Sequence, residues 1–193
     1  MRLFGPLYDR VMRWSKHRHA SRYLAGLSFA ESSFFPIPPD VLLAPMVLAN
    51  PRRGWWLALL TTIASVVGGL LGYAIGRFAF DLIEPLLVNL GYDEAYATAT
   101  AWFGRYGFWA VLVAGFSPVP YKVFTIAAGA LQMLIPGFVL ASFLGRGGRF
   151  FLVAGLLILG GERMERTLRR NIDALGWVTV GLIAALIIYL QVR

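Results

Sequence analysis

The stretch Pro36-Ile37-Pro38-Pro39-Asp40-Val41 interrupts a segment, residues 23–51, that is otherwise apolar enough to enter a membrane. Pro36, Pro38, Pro39 and Pro45 break a continuous helix, because proline lacks the N–H that a helix interior needs. Glu31 and Asp40 sit in the same segment. The pattern returns at an offset of 82 as Pro118-Val119-Pro120-Tyr121-Lys122-Val123, inside a second apolar segment, residues 106–135. Each copy is followed by another apolar run, then a proline (Pro51, Pro136), then a long apolar stretch. Irregular backbone at membrane depth is tolerated only where protein or a water-filled cavity surrounds it. The pattern therefore predicts two re-entrant hairpins, 25–51 and 106–135, each followed by a spanning helix, 54–77 and 137–161.

Composition agrees with that reading. Of 193 residues, 58% are hydrophobic and 15% charged, where an average soluble protein has about 25% charged. Mean hydropathy is +0.65. A small soluble domain needs more charge to cover its surface, and a disordered chain has fewer apolar residues. Residues 54–76 and 123–145 are uncharged runs of 23 positions each, and 174–192 one of 19. About 20 apolar residues span a bilayer as a helix. The chain has no cysteine, which excludes disulfide scaffolds, thiolate metal sites and cysteine nucleophiles. Its net charge of +8 lies in short clusters beside apolar spans, which is how membrane topology is set, so nucleic acid is not expected as a partner.

Outward from the hairpins, residues 1–24 read as a basic amphipathic arm. Leu7, Val11 and Trp14 recur at helical spacing, with Arg10, Arg13 and His17 on another face; six basic residues without an apolar core exclude a cleavable signal. In 54–77, Gly68, Gly72 and Gly76 recur every four residues and prepare a groove for close helix packing. Residues 79–105 mix Asp81, Glu84, Asp93 and Glu94 with leucines and read as interfacial helices, with a break near Asn89-Leu90-Gly91. Residues 162–193 read as a basic loop and a last span. Three crossings place twelve Lys and Arg residues on one side, from 1–24, Arg52–Arg53 and 162–173, and two on the other, Arg77 and Arg105. The positive-inside rule puts the amino terminus in the cytoplasm, and the two hairpins then enter from opposite sides. The expected fold is an all-α integral membrane protein: an inverted repeat of re-entrant hairpin plus transmembrane helix, with amphipathic interfacial helices and a C-terminal transmembrane helix.

Inverted repeats with broken segments near the midplane are a recurrent transporter design. The first copy carries Asp40 where the second carries Lys122, so the two tips are placed to form an ion pair. Glu31 lies in the first arm, and Arg146 and Arg149 are one turn apart near mid-depth. Ionisable residues inside a membrane are functional by default; the structural alternative is that they pair to hold the hairpins in place. An intramembrane phosphatase or metalloprotease needs histidines, and the only two, His17 and His19, sit in the basic arm. No Gly-x-Ser-x-Gly elbow or nucleotide-binding loop occurs either. No enzyme, cofactor or metal is expected.

The strings Phe29-Ala30-Glu31-Ser32-Ser33-Phe34-Phe35-Pro36-Ile37-Pro38-Pro39-Asp40 and Phe116-Ser117-Pro118-Val119-Pro120-Tyr121-Lys122 resemble the DedA family, whose members carry the VTT (SNARE-associated Golgi protein) domain. Gly72-Tyr73-Ala74-Ile75-Gly76-Arg77, Phe103-Gly104-Arg105-Tyr106-Gly107 and Gly145-Arg146-Gly147-Gly148-Arg149-Phe150 resemble it too, in the family's order over about 28–150. The resemblance is greatest to the YqaA-like branch of short bacterial members. It implies a bacterial inner-membrane protein with two opposed re-entrant hairpins, and proton-gradient-dependent movement of polyprenyl-phosphate or phospholipid head groups between leaflets. It further implies that Glu31 and Asp40 match the family's acidic pair and Lys122 a family arginine. Phe116 stands where other branches carry an arginine, which leaves the substrate open.

The expected function is proton-linked translocation of a lipid phosphate. Lys122, Arg146 and Arg149 are the candidates for the phosphate, since a guanidinium donates two parallel hydrogen bonds to it. Glu31 and Asp40 are the candidates for the proton, because a carboxylate taken out of water binds one more readily. Pro36, Pro38, Pro118 and Pro120 shape the hairpins. The alternative is a proton-coupled small-ion antiporter in which the cations are structural. Expected partners are membrane lipids, polyprenyl phosphate among them, and protons; a homo-oligomer is left open.

Overall fold

The computed structural model describes residues 17, 19–35, 37–89, 93–117 and 120–160. Six α-helices follow one another: α1 Ala20–Ser33, α2 Asp40–Ala49, α3 Gly54–Asn89, α4 Asp93–Phe116, α5 Tyr121–Ala130 and α6 Ile135–Gly160, with a 3₁₀ turn Pro51–Arg53 ahead of α3. No strand occurs among the described residues. The order helix, short turn, ten-residue helix, long helix occurs twice, as α1–α2–α3 and α4–α5–α6. At 1.5 Å per residue each ten-residue helix is about 15 Å long, half the hydrocarbon thickness. The apolar helical segments Pro51–Phe80 and Ile135–Gly160, of 30 and 26 residues, are long enough to cross.

Three helices run across expected boundaries. The division between residues 24 and 25 falls inside α1, since Ala20 and Leu24, one turn apart, are buried in the same cluster. The expected end of a helix at residue 77 is absent: no proline or glycine follows until Pro85, and α3 continues to Asn89. The division between 105 and 106 is also absent, because α4 runs unbroken to Phe116. Of the four prolines expected to break the first segment, Pro45 instead lies buried inside α2; the break is confined to residues 34–39. Residues 1–16, Pro36, the expected break at Leu90-Gly91, Pro118 and residues 162–193 lie outside the described residues.

Apolar packing divides into two clusters. The first joins Leu24 of α1, Leu43 and Val47 of α2, the start of α3 at Leu57 and Ala58, and the later part of α6 at Phe150, Ala154 and Leu157. The second joins Val111 of α4, Tyr121 and Ala128 of α5, the start of α6 at Phe138 and Ala141, and the later part of α3 at Leu70 and Tyr73. Each short helix thus packs on the start of its own long helix and the far part of the other. Every leucine, isoleucine or valine in the row Leu59, Ile63, Val67, Leu71 and Ile75 of α3 is exposed, whereas Thr61, Thr62 and Ser65 of the same helix are fully buried. A surface more apolar than the interior suits hydrocarbon as solvent and small or polar residues as the helix–helix contact. Trp55 and Trp56 are exposed just after Arg52 and Arg53, as at a membrane interface.

Two glycines let the backbones touch. A Cβ on Gly68 would overlap the backbone of Phe29 in α1, and one on Gly76 would overlap that of Ile126 in α5. The glycine row therefore receives one helix from each half of the chain. The turn after α5 is a Schellman motif: Gln132 N–H bonds to Gly129 C=O and Met133 N–H to Ala128 C=O, with Gln132 at φ 56° in the left-handed position usually filled by glycine.

Candidate functional site

Between the two apolar clusters lies a polar layer built on α6. Arg146 and Arg149 are three residues apart on that helix and so face the same side. Arg146 is 2% exposed. Its Nε donates to Ser65 Oγ of α3 at 2.6 Å, and Nη2 donates to Glu31 Oε2 of α1. The Ser32 and Ser65 hydroxyls are 2.6 Å apart, and Ser32 also donates to Glu31 Oε2 at 3.2 Å. Because Ser32 gives its hydrogen to Glu31, the hydrogen between the two serines belongs to Ser65. Arg146, Ser65, Ser32 and Glu31 thus close a ring in which two arms of donors run from the guanidinium to the Glu31 carboxylate. The guanidinium is also held between two rings, its carbon 5.1 Å from the Tyr121 centroid and 4.7 Å from that of Phe150, at cation–π distance. The Tyr121 hydroxyl donates in turn to Ser142 of α6.

The second pair is open. Arg149 Nη2 lies 2.8 Å from Asp40 Oδ2, and Nη1 donates to the Ser117 carbonyl at 2.9 Å. The side chains are 23% and 24% exposed, against 3% and 13% for Arg146 and Glu31. Asp40 Oδ1 has no hydrogen-bond partner among the described residues. Arg149 therefore ties the first turn of α2 to Ser117, just past the end of α4. Lys122 Nζ donates at 3.4 Å to the carbonyl of Phe34, the C-cap residue of α1.

The structure brings Glu31, Asp40, Lys122, Arg146 and Arg149 into one layer but corrects their pairing. The expected Asp40–Lys122 ion pair is not formed; Asp40 pairs with Arg149. Both residues lie in the first turn of a short helix. A helix N-terminus favours an acid and disfavours a cation, so Asp40 is stabilised where it stands while Lys122 turns to the carbonyl end of α1. Pro38 and Pro120 flank the starts of α2 and α5. The sequence reading missed Ser32, Ser65 and Ser117. A signal for the serines was available: Ser28 and Ser32, and Thr61 and Ser65, are hydroxyls four apart on apolar helices. Ser28 bonds to the Thr61 carbonyl as Ser32 does to Ser65, which is how polar residues join helices in membranes.

A family model, the VTT domain, matches residues 37–159. The chain is 48% identical to an uncharacterized protein of Haemophilus influenzae over 180 residues, covering 93% of this chain and 94% of that one. It is 28% identical to the inner membrane protein YqaA of Escherichia coli over 133 residues, 69% of this chain and 87% of the relative. It is 32% identical to the undecaprenyl phosphate transporter A of Staphylococcus aureus over 133 residues, 65% of this chain and 60% of the relative. No solved structure matches the chain.

Proposed function

Because the chain belongs to the VTT-domain (DedA) family of membrane transporters, we propose that it moves a lipid phosphate between leaflets, with the head group taken at Arg149 and Lys122. The observation that carries this is the difference between the two arginines. Arg146 is buried, with Nε on Ser65, Nη2 on Glu31 and two rings at cation–π distance, whereas Arg149 is part-exposed and shared between one carboxylate and one carbonyl. A phosphate monoester carries about −1.5 to −2 charges near neutral pH, which Arg149 and Lys122 together balance. The relative named for undecaprenyl phosphate transport supports a polyprenyl phosphate as the lipid.

Asp40 and the phosphate then compete for one guanidinium. With Asp40 ionised, Arg149 is occupied. A proton on Asp40 removes its claim and turns the carboxyl into a hydrogen-bond donor, which favours an anion on Arg149. Loss of that proton on the other side returns Arg149 to Asp40 and expels the head group. Proton and lipid are thus taken up together on one side and released together on the other, and Glu31 stays with Arg146. The shortness of α2 and α5 supports re-entrant hairpins, and the twelve-to-two basic asymmetry supports an inner-membrane protein with a cytoplasmic amino terminus.

The test is transbilayer movement of undecaprenyl phosphate in proteoliposomes, with and without an imposed proton gradient. Wild type should move the lipid faster with the gradient, and Arg149→Gln should not move it. Gradient-driven flux of a small ion with no lipid movement would establish the antiporter instead.

A further inference from the structure

Beside the polar layer, α4 and α5 enclose an open groove of about 560 Å³, lined by Trp102, Tyr106, Trp109, Val113, Ser117 and Phe124 among others. No ionisable group other than the Tyr106 phenol lines it. Its walls are unusually aromatic, and Trp102, Trp109 and Val113 are 53%, 62% and 59% exposed. Ser117 belongs both to the groove and to the charged layer: it lines the first, and its carbonyl accepts from Arg149. The groove thus ends at Ser117, whose carbonyl holds Arg149, and extends along α4 for the length from Ser117 back to Trp102, about 22 Å at 1.5 Å per residue.

We infer that this groove holds the head-proximal part of the apolar chain of the transported lipid, so that the lipid lies along α4 while its phosphate meets Arg149. The inference rests on the head-group assignment above. Three observations choose a lipid chain as occupant. The groove opens on a face that a membrane protein presents to hydrocarbon. Its inner end, at Ser117, adjoins the Arg149 guanidinium. It has no charged group of its own to receive a polar partner, while flat aromatic walls suit a flexible chain without demanding a particular one. A single chain entering beside α4 also places the entry route on the second half of the repeat, away from the α1–α3 contact that Gly68 closes.

The probes are undecaprenyl phosphate and inorganic phosphate, added to the full chain in nanodiscs of phosphatidylcholine. Val113→Trp fills the groove from an exposed position. It should weaken undecaprenyl phosphate binding at least tenfold and leave inorganic phosphate binding as in wild type, whereas Arg149→Gln should weaken both. Unchanged undecaprenyl phosphate binding by Val113→Trp overturns the groove while leaving the head-group site standing; unchanged binding of both probes by Arg149→Gln overturns the head-group site itself. If Val113→Trp does not assemble, Val113→Cys carrying a benzophenone maleimide gives the answer, since the chain has no other cysteine. Its cross-link to undecaprenyl phosphate should be suppressed by excess unlabelled undecaprenyl phosphate and not by excess phosphatidylcholine. A cross-link to residues 174–192 of the same chain, or one that phosphatidylcholine suppresses equally, contradicts the inference.

Discussion

At the residue scale, the two arginines differ in what their removal leaves behind. Arg146→Gln leaves Glu31 charged and without its cation beneath α6; breaking a buried pair this way costs about 3–5 kcal/mol, so the protein should aggregate at a markedly lower temperature in detergent. Arg146→Leu with Glu31→Leu should recover most of that loss, because no unpaired charge remains. Arg149→Gln should stay folded and lose transport, which the same melting measurement and the proteoliposome assay read separately. The acids and cations of this layer were legible in the sequence, because charges inside apolar runs stand out. Their pairing was not: whether Asp40 meets Lys122 or Arg149 depends on helix ends and on α6 passing between the two turns, and neither is encoded at the spacing of the motif. Ser32 and Ser65 were hidden for the opposite reason, since hydroxyls are common and only the register of α1 on α3 makes them a pair.

At the element scale, the prolines and the glycine row carried most of the fold. α1 ends at Ser33 and α2 begins at Asp40, and α4 ends at Phe116 and α5 begins at Tyr121, on either side of the proline clusters, whereas Pro45 shows that a single proline yields to packing when its side chain is buried in α2. The spanning helix is expected to end at residue 77, ahead of Asp81 and Glu84, whereas the helical backbone runs on through Pro85 to Asn89. Gly68→Ala should force α1 off α3 and disturb the hydrogen bond from Ser33 to the Gly68 carbonyl; overpacking of this kind costs about 1–3 kcal/mol, to be read as a lower midpoint of thermal unfolding. Gln132→Gly should act the other way. Left-handed backbone costs an ordinary residue about 1–2 kcal/mol, so glycine there should raise the midpoint without altering transport.

At the scale of the whole molecule, the exchange of partners between the two apolar clusters explains why both halves are needed: neither short helix completes its cluster without the long helix of the other half. The proposed orientation rests on the asymmetry of basic residues. Cysteines at the exposed positions Arg53 and Thr98, in an otherwise cysteine-free chain, should label from opposite faces of the membrane, Arg53→Cys from the cytoplasm; labelling from one face contradicts the three-crossing topology. The central claim is that Asp40 and the lipid phosphate compete for Arg149, and the dissociation constant of undecaprenyl phosphate for wild type and Asp40→Asn in nanodiscs tests it most directly. Removing the competitor should tighten binding about tenfold, or ~1.4 kcal/mol, even as gradient-driven transport is lost. Binding that is unchanged or weaker in Asp40→Asn would contradict the account.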